Sequence, residues 1–94
     1  MIVEWTPHAE AALLHASQYI AERHPRAAIK FMREVIEKTS NLTQFPALGR
    51  SGFYPDTREL LVHRNYLVVY RVRDERVEIL QFWHTAQRRE SGSS

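Results

Sequence analysis

The stretch "YLVVYRVRDERVEILQFWH", residues 66–84, alternates aliphatic and aromatic residues with arginines on either side of one tight Asp74-Glu75 turn. A period of two marks half-buried strands, so this stretch predicts two antiparallel strands, Tyr66 to Arg73 and Arg76 to Trp83. In the first, Tyr66, Val68, Tyr70 and Val72 fall on one face, and Leu67, Val69, Arg71 and Arg73 on the other. Thr57 to His63, "TRELLVH", precedes them across Arg64-Asn65 and predicts a third antiparallel strand.

Further back the period changes. Residues 43–56, "TQFPALGRSGFYPD", hold two prolines and two glycines and predict an ordered loop. Before it, Ala28, Phe31, Met32, Val35, Ile36, Thr39 and Leu42 follow the three-and-four spacing of one buried helical stripe, in a helix opened by Pro25. Arg26, Lys30, Arg33, Glu34, Glu37 and Lys38 lie largely off that stripe. An earlier helix is capped by Thr6, tolerates Pro7 in its first turn and presents a narrow small-residue face of Ala9, Ala12, Leu13, Ala16 and Ile20. "ERHP" ends it, so the two form an antiparallel helical hairpin. "IVEW", residues 2–5, reads as a first short strand. The fold class expected is α+β in the order β-α-α-β-β-β, with an N-terminal helical hairpin packed on one face of a small twisted, mainly antiparallel sheet.

With 94 residues, 44% of them hydrophobic, residues 1–84 are expected to share a single core as one domain. Residues 85–94, "TAQRRESGSS", have no apolar anchor and are expected to form a mobile tail, with "SGSS" having the character of an appended linker. The absence of cysteine removes disulfides, thiolate chemistry and most structural zinc sites. No signal peptide or membrane-length apolar run is evident, which predicts a cytoplasmic protein without membrane contact. The formal charge is +2, and its excess lies in the second half, where eight basic residues meet six acidic ones. Such a bias permits an acidic partner or nucleic acid without demanding one.

Chemistry, if any, must come from arginine and histidine. Arg50, Arg58, Arg64, Arg71, Arg73 and Arg76 fall within one span of loop and sheet, where guanidinium forks suit phosphates or carboxylates. The alternative is that they keep the solvent face wet and pair with Glu59, Asp74, Glu75 and Glu78. His63 and His84 end two of the strands and are candidates for an acid–base pair in ribonuclease-type cleavage, or else residues of packing and hydrogen bonding. His8, His15 and His24 lack metal-ligand spacing, so no metal and no cofactor are expected. Tyr19, Tyr66, Tyr70, Phe82 and Trp83 suit base stacking chemically, but most are needed inside so small a domain.

Six pieces carry a resemblance: "VEWTPHAEAAL", "YIAERHPRAAIKF", "LTQFPALGRSG", "TREL", "YLVVYRV" and "VEILQFWHTAQRR", in register across nearly all of residues 2–89. Together they resemble the toxins of bacterial type II toxin–antitoxin modules, the RelE/ParE superfamily, and are closer to its ParE-like members. The superfamily has two activities. RelE-like toxins are ribosome-dependent endoribonucleases that cut mRNA with basic side chains and a terminal tyrosine or histidine, whereas ParE-like toxins share the fold and poison DNA gyrase. Arg58 matches a basic position of the nucleases, but Leu60 stands where a second lysine is usual and Leu67 where an arginine stabilises the cleaved phosphate. Losing such a cation costs on the order of several kcal/mol of transition-state stabilisation.

The resemblance therefore implies a growth-inhibiting toxin that acts on gyrase and is neutralised by a cognate antitoxin. The alternative it leaves is an mRNA endoribonuclease acting at the ribosome with Arg58, Arg71, His84 and Arg50. A third reading is an inactive homologue that only joins the antitoxin complex and represses its operon. Family antitoxins wrap the toxin with an acidic, apolar segment that orders on binding, which makes Arg26, Arg33, Phe31, Val35 and Arg73 the expected antitoxin contacts. His84, Arg88 and Arg89 are the expected gyrase contacts, and operator DNA is reached only through the antitoxin.

Overall fold

The structure, a computed structural model, describes residues 1–86. Strand β1 (Ile2–Trp5) leads into helix α1 (Pro7–Arg23). Thr6 starts that helix by accepting the Ala9 N–H on its hydroxyl at 3.2 Å, satisfying one of the amides a first turn leaves orphaned. Pro25 stops it, because the proline ring excludes helical backbone at the preceding residue; His24 is extended, with φ −144°. The same proline then opens α2 (Pro25–Ser40), so one residue joins the two helices of the hairpin.

A single 3₁₀ turn, Asn41–Thr43, follows, and then strands β2 (Arg50–Ser51), β3 (Arg58–His63), β4 (Tyr66–Arg73) and β5 (Arg76–His84). They form one sheet in the order β1-β5-β4-β3-β2, in which β1 runs parallel to β5 and every other pairing is antiparallel. The expected order gains one element, the two-residue β2. It pairs with Glu59 and Arg58 of β3 at the rim of the loop, and two residues carry no periodicity to reveal a strand.

The Asp74-Glu75 turn has φ of 52° and 59°, the positive angles at both central positions that let a two-residue turn match the twist of its strands. Beyond it, the ladder between β4 and β5 slips: Val69 faces Gln81 while Tyr70 faces Ile79, so Leu80 bulges without a partner. Without this extra residue the period-two pattern would turn Phe82 away from the helices. With it, Val77, Ile79 and Phe82 all reach one core.

That core lies between the hairpin and one face of the sheet. Ala9 and Leu13 of α1 and Phe31, Val35 and Leu42 meet Val62, Val68, Tyr70, Val77, Ile79 and Phe82 from the strands. Each large aliphatic side chain buried this way contributes roughly 1.5–3 kcal/mol of transfer free energy. Tyr66 stacks on Phe82 with ring centroids 5.1 Å apart, and Phe31 meets Tyr66 edge-on at 5.1 Å. Ile36, expected in the buried stripe of α2, is 47% exposed. At 100° per residue it sits one step round from Val35, beyond the arc the sheet covers.

On the other face, the expected division of β4 is only half polar. Leu67 and Val69 are buried there, each covered by its cross-strand neighbours: Leu61 and Trp83 flank Leu67, Glu59 and Gln81 flank Val69. Val72, on the helical side, is exposed.

Tyr70 joins core to loop. Its ring is fully buried, its hydroxyl donates to the Pro46 carbonyl at 2.7 Å and accepts the Gly49 N–H at 2.8 Å. Gly49 has no room for a side chain, since a Cβ would lie 2.7 Å from the Glu59 carbonyl oxygen and 2.8 Å from the Tyr70 hydroxyl.

Tyr70→Phe leaves the buried Gly49 amide without its acceptor and is expected to lower unfolding free energy by about 1–3 kcal/mol, as measured by urea denaturation. Burial raises the Tyr66 and Tyr70 phenols above their ordinary 10.0. Below that pH both folded and unfolded chains keep these protons, and above it the unfolded chain loses them first. Stability is thus expected to fall as pH rises above 10.0, and to fall less steeply in Tyr70→Phe, in thermal melts at alkaline pH.

Candidate functional site

The arginines gather at the end of the sheet where β4 finishes. The loop of residues 51–57, Arg58 of β3 and Arg71, Val72 and Arg73 of β4 line an open cavity of about 620 Å³. Most of its cations are already engaged. Arg71 Nε donates to Glu78 Oε1 at 2.7 Å, and this bond, followed by the Arg71, Arg73 and Arg76 charges, holds the Glu78 carboxyl below the usual range. Arg76 pairs with Glu4 at 2.9 Å, and Arg58 donates to the Gly49 carbonyl at 2.8 Å. Arg50, mostly exposed, reaches Glu59 at 3.5 Å. Pairing across the sheet thus describes these side chains better than a free phosphate cradle.

Glu59 is the anchor of the loop. Its carboxylate is 5% exposed and takes the Phe53 N–H at 3.4 Å as well as the Arg50 guanidinium, meeting the requirement that a buried charge be paired and hydrogen-bonded. Gly52 N–H donates to the Thr57 carbonyl at 2.8 Å and the Thr57 hydroxyl donates to the Tyr54 carbonyl at 2.6 Å. A Cβ on Gly52 would come within 2.4 Å of the Thr57 hydroxyl. Phe53 and Tyr54 are held outward on this closed turn, 70% and 51% exposed, with their rings edge to face at 5.3 Å. Sequence reasoning read these two only as part of an ordered loop. The available signal was an adjacent aromatic pair inside an otherwise polar "SGFYPD" segment.

His84 stands at the opposite end. It pairs with Tyr66, the first residue of β4, while Arg71 lies five residues along the same strand, roughly 17 Å away at about 3.3 Å per residue. Its Nδ1 accepts the Ala86 N–H at 3.0 Å and its ring packs edge-on against Tyr66 at 5.1 Å. His63 flanks Tyr66 from the other side, ring to ring at 5.9 Å, and its Nδ1 accepts the Asn65 N–H at 3.4 Å. Among the described residues, the two histidines thus flank a tyrosine at one end of the sheet, while Arg58 and Arg71 line the cavity at the other. Leu60 packs against the core and Leu67 is buried, so neither nuclease position offers a cation.

The outer side of the hairpin carries a shallow groove of about 550 Å³, formed by Ser17, Ala21, Ala28, Ile29, Met32 and Arg33, with Ile29 61% exposed. Arg26 is exposed two turns before Arg33. Phe31 and Val35, expected as antitoxin contacts, are 2% and 0% exposed and face the sheet, where no partner reaches them. Their stripe is the core stripe of α2; its exposed large apolar residues are Ile29 and Ile36. Arg88, Arg89 and most of the expected tail lie outside the described residues. Among the described residues no group of histidines and carboxylates could hold a metal ion, and no helix is long and apolar enough to cross a membrane.

The family model of the ParE toxin of the type II toxin–antitoxin system parDE matches residues 3–89. The chain belongs to the ParE toxin family. The Y4kP protein of Sinorhizobium fredii is similar, 34% identical over 86 residues that cover 90% of this chain and 88% of that one. Toxin RelE1 of Caulobacter vibrioides is 31% identical over 74 residues, 76% of this chain and 78% of its own. A solved structure from the chromosomal ParDE TA system of P. aeruginosa superposes with a TM-score of 0.81 at 25% identity, covering 89% of this chain and 95% of that one. This chain is thus a type II toxin of the ParE/RelE group, on the α+β fold that its sequence pattern predicts.

In this toxin Glu59 carries the loop. Glu59→Ala is expected to destabilise it by about 1–3 kcal/mol and to speed hydrogen exchange at the Phe53 amide, with exchange at Val68 and Ile79 following only the global change.

Proposed function

We propose that this toxin arrests bacterial growth by binding DNA gyrase and does not cut nucleic acid. The observation that carries this reading is the separation of the terminal histidine from the arginine-lined cavity by most of the length of β4, with Arg71, Arg50 and Arg58 engaged by Glu78, Glu59 and the Gly49 carbonyl. Ribonuclease-type cleavage needs a proton donor or acceptor and a compensating cation around one phosphate. The ParE family membership and the fold shared with a ParDE toxin–antitoxin system favour gyrase as the target.

An antitoxin would hold the toxin silent. Its amphipathic helix would lie in the hairpin groove, on Ile29 and Met32, with acidic side chains meeting Arg26 and Arg33. An extended segment of the same partner would run past the sheet.

A second reading, cleavage of mRNA at the ribosome, draws on Arg58 and Arg71 lining the same cavity. The two readings part in one experiment. Purified toxin added to gyrase and relaxed plasmid is expected to block supercoiling, and its induction in cells to provoke the SOS response and filamentation. Added to translating ribosomes it is expected to leave transcripts whole; codon-dependent fragments with gyrase activity intact would overturn the proposal.

A further inference from the structure

Most exposed aromatic residues on a small domain are scattered, but Phe53 and Tyr54 are adjacent, contiguous with Pro55, and fixed. Their turn is closed by Gly52 and Thr57, and its amide is tied to a carboxylate that the protein buries in order to hold it. Nothing in the core uses these rings. A large apolar pair kept in water on a preorganised loop is what a binding anchor looks like, because the ordering cost of association has been met beforehand.

The company they keep narrows the occupant. All the cations around the cavity are arginines, and arginine with tyrosine and other aromatics is the composition of the energetic centre of protein interfaces. A nucleic-acid backbone would need uncompensated positive charge and free donors, yet Arg71 and Arg50 meet carboxylates, Arg58 is turned onto the Gly49 carbonyl, and Asp56 stands in the lining. Arg73 is exposed at the rim and, among the described residues, has neither an ion pair of the kind Arg71 makes nor a carbonyl contact of the kind Arg58 makes.

We propose that the 51–57 loop is the surface by which the toxin grips its target protein, with Phe53 and Tyr54 seated in an apolar depression of the target and Arg73 on a carboxylate beside it. The inference rests on the reading of this chain as a toxin with a protein target. None of the loop's residues belongs to α1 or α2, so the surface is separate from the hairpin groove assigned to the antitoxin helix.

The test uses the full chain and two variants, Phe53→Ala/Tyr54→Ala and Arg73→Glu, each with its thermal melt, its growth arrest on induction and its rescue by the co-expressed adjacent antitoxin. The expected result is a native-like melt, retained antitoxin binding in a pull-down, and a loss of growth arrest matched by at least about a tenfold rise in the concentration needed to block gyrase supercoiling. Undiminished growth arrest by both variants overturns the proposal. So does loss of antitoxin binding, which would make the loop an antitoxin contact, and so does a wild-type dimer that the double variant dissociates. Binding of a labelled oligonucleotide by wild type and not by the variants would overturn it in favour of nucleic acid. A wild type that arrests growth without inhibiting gyrase sinks the gyrase reading alone, because loss of arrest in the variants would still identify the gripping surface. A wild type that does not arrest growth overturns both.

Discussion

The Tyr70 hydroxyl bridges the Pro46 carbonyl and the Gly49 amide from a ring buried beneath the hairpin, and the surface of this toxin depends on that bridge. It brings residues 46–49 down onto the sheet, close enough that Gly49 must be a glycine. Once the loop is placed, Arg58 finds the Gly49 carbonyl, β2 pairs with β3, and Glu59 is covered so that it must take the Arg50 and Phe53 donors. A phenol suits this task because its ring belongs in the core while its oxygen both donates and accepts at the edge.

The charges obey the same economy. Arginines that on paper look like a phosphate-binding cluster meet Glu78, Glu4 and Glu59 in the folded chain. Such pairs are partly exposed, and their worth lies less in stability than in removing positive charge from the surface. Arg50, Arg71 and Arg76 thus turn toward the chain's own carboxylates, and Arg58 toward the Gly49 carbonyl.

The architecture also divides labour between its layers. The hairpin has two faces, a core stripe of Phe31 and Val35 and an outer groove of Ile29 and Met32, and only the second is available to a partner. The loop at the far rim of the sheet presents aromatics that the hairpin does not cover.

Much of this was legible in the chain itself. The Thr6-Pro7 cap, the His24-Pro25 break and the 3.6-residue stripe of α2 are local rules, decided by neighbours within a turn, and the strands of residues 58–84 announce themselves by alternation. What needed the tertiary structure were the outcomes that depend on residues far apart in sequence. The bulge at Leu80 moved Phe82 into the core, the pairing of His84 with Tyr66 set it a strand's length from Arg71, and cross-strand cover buried Leu67 and Val69 on a face expected to be wet. Composition lists the ionisable groups, but only register says which carboxylate each arginine meets. Periodicity is a property of one segment, whereas a site is a property of several, and the free energy that chooses among their arrangements resides in contacts that no single stretch of sequence contains.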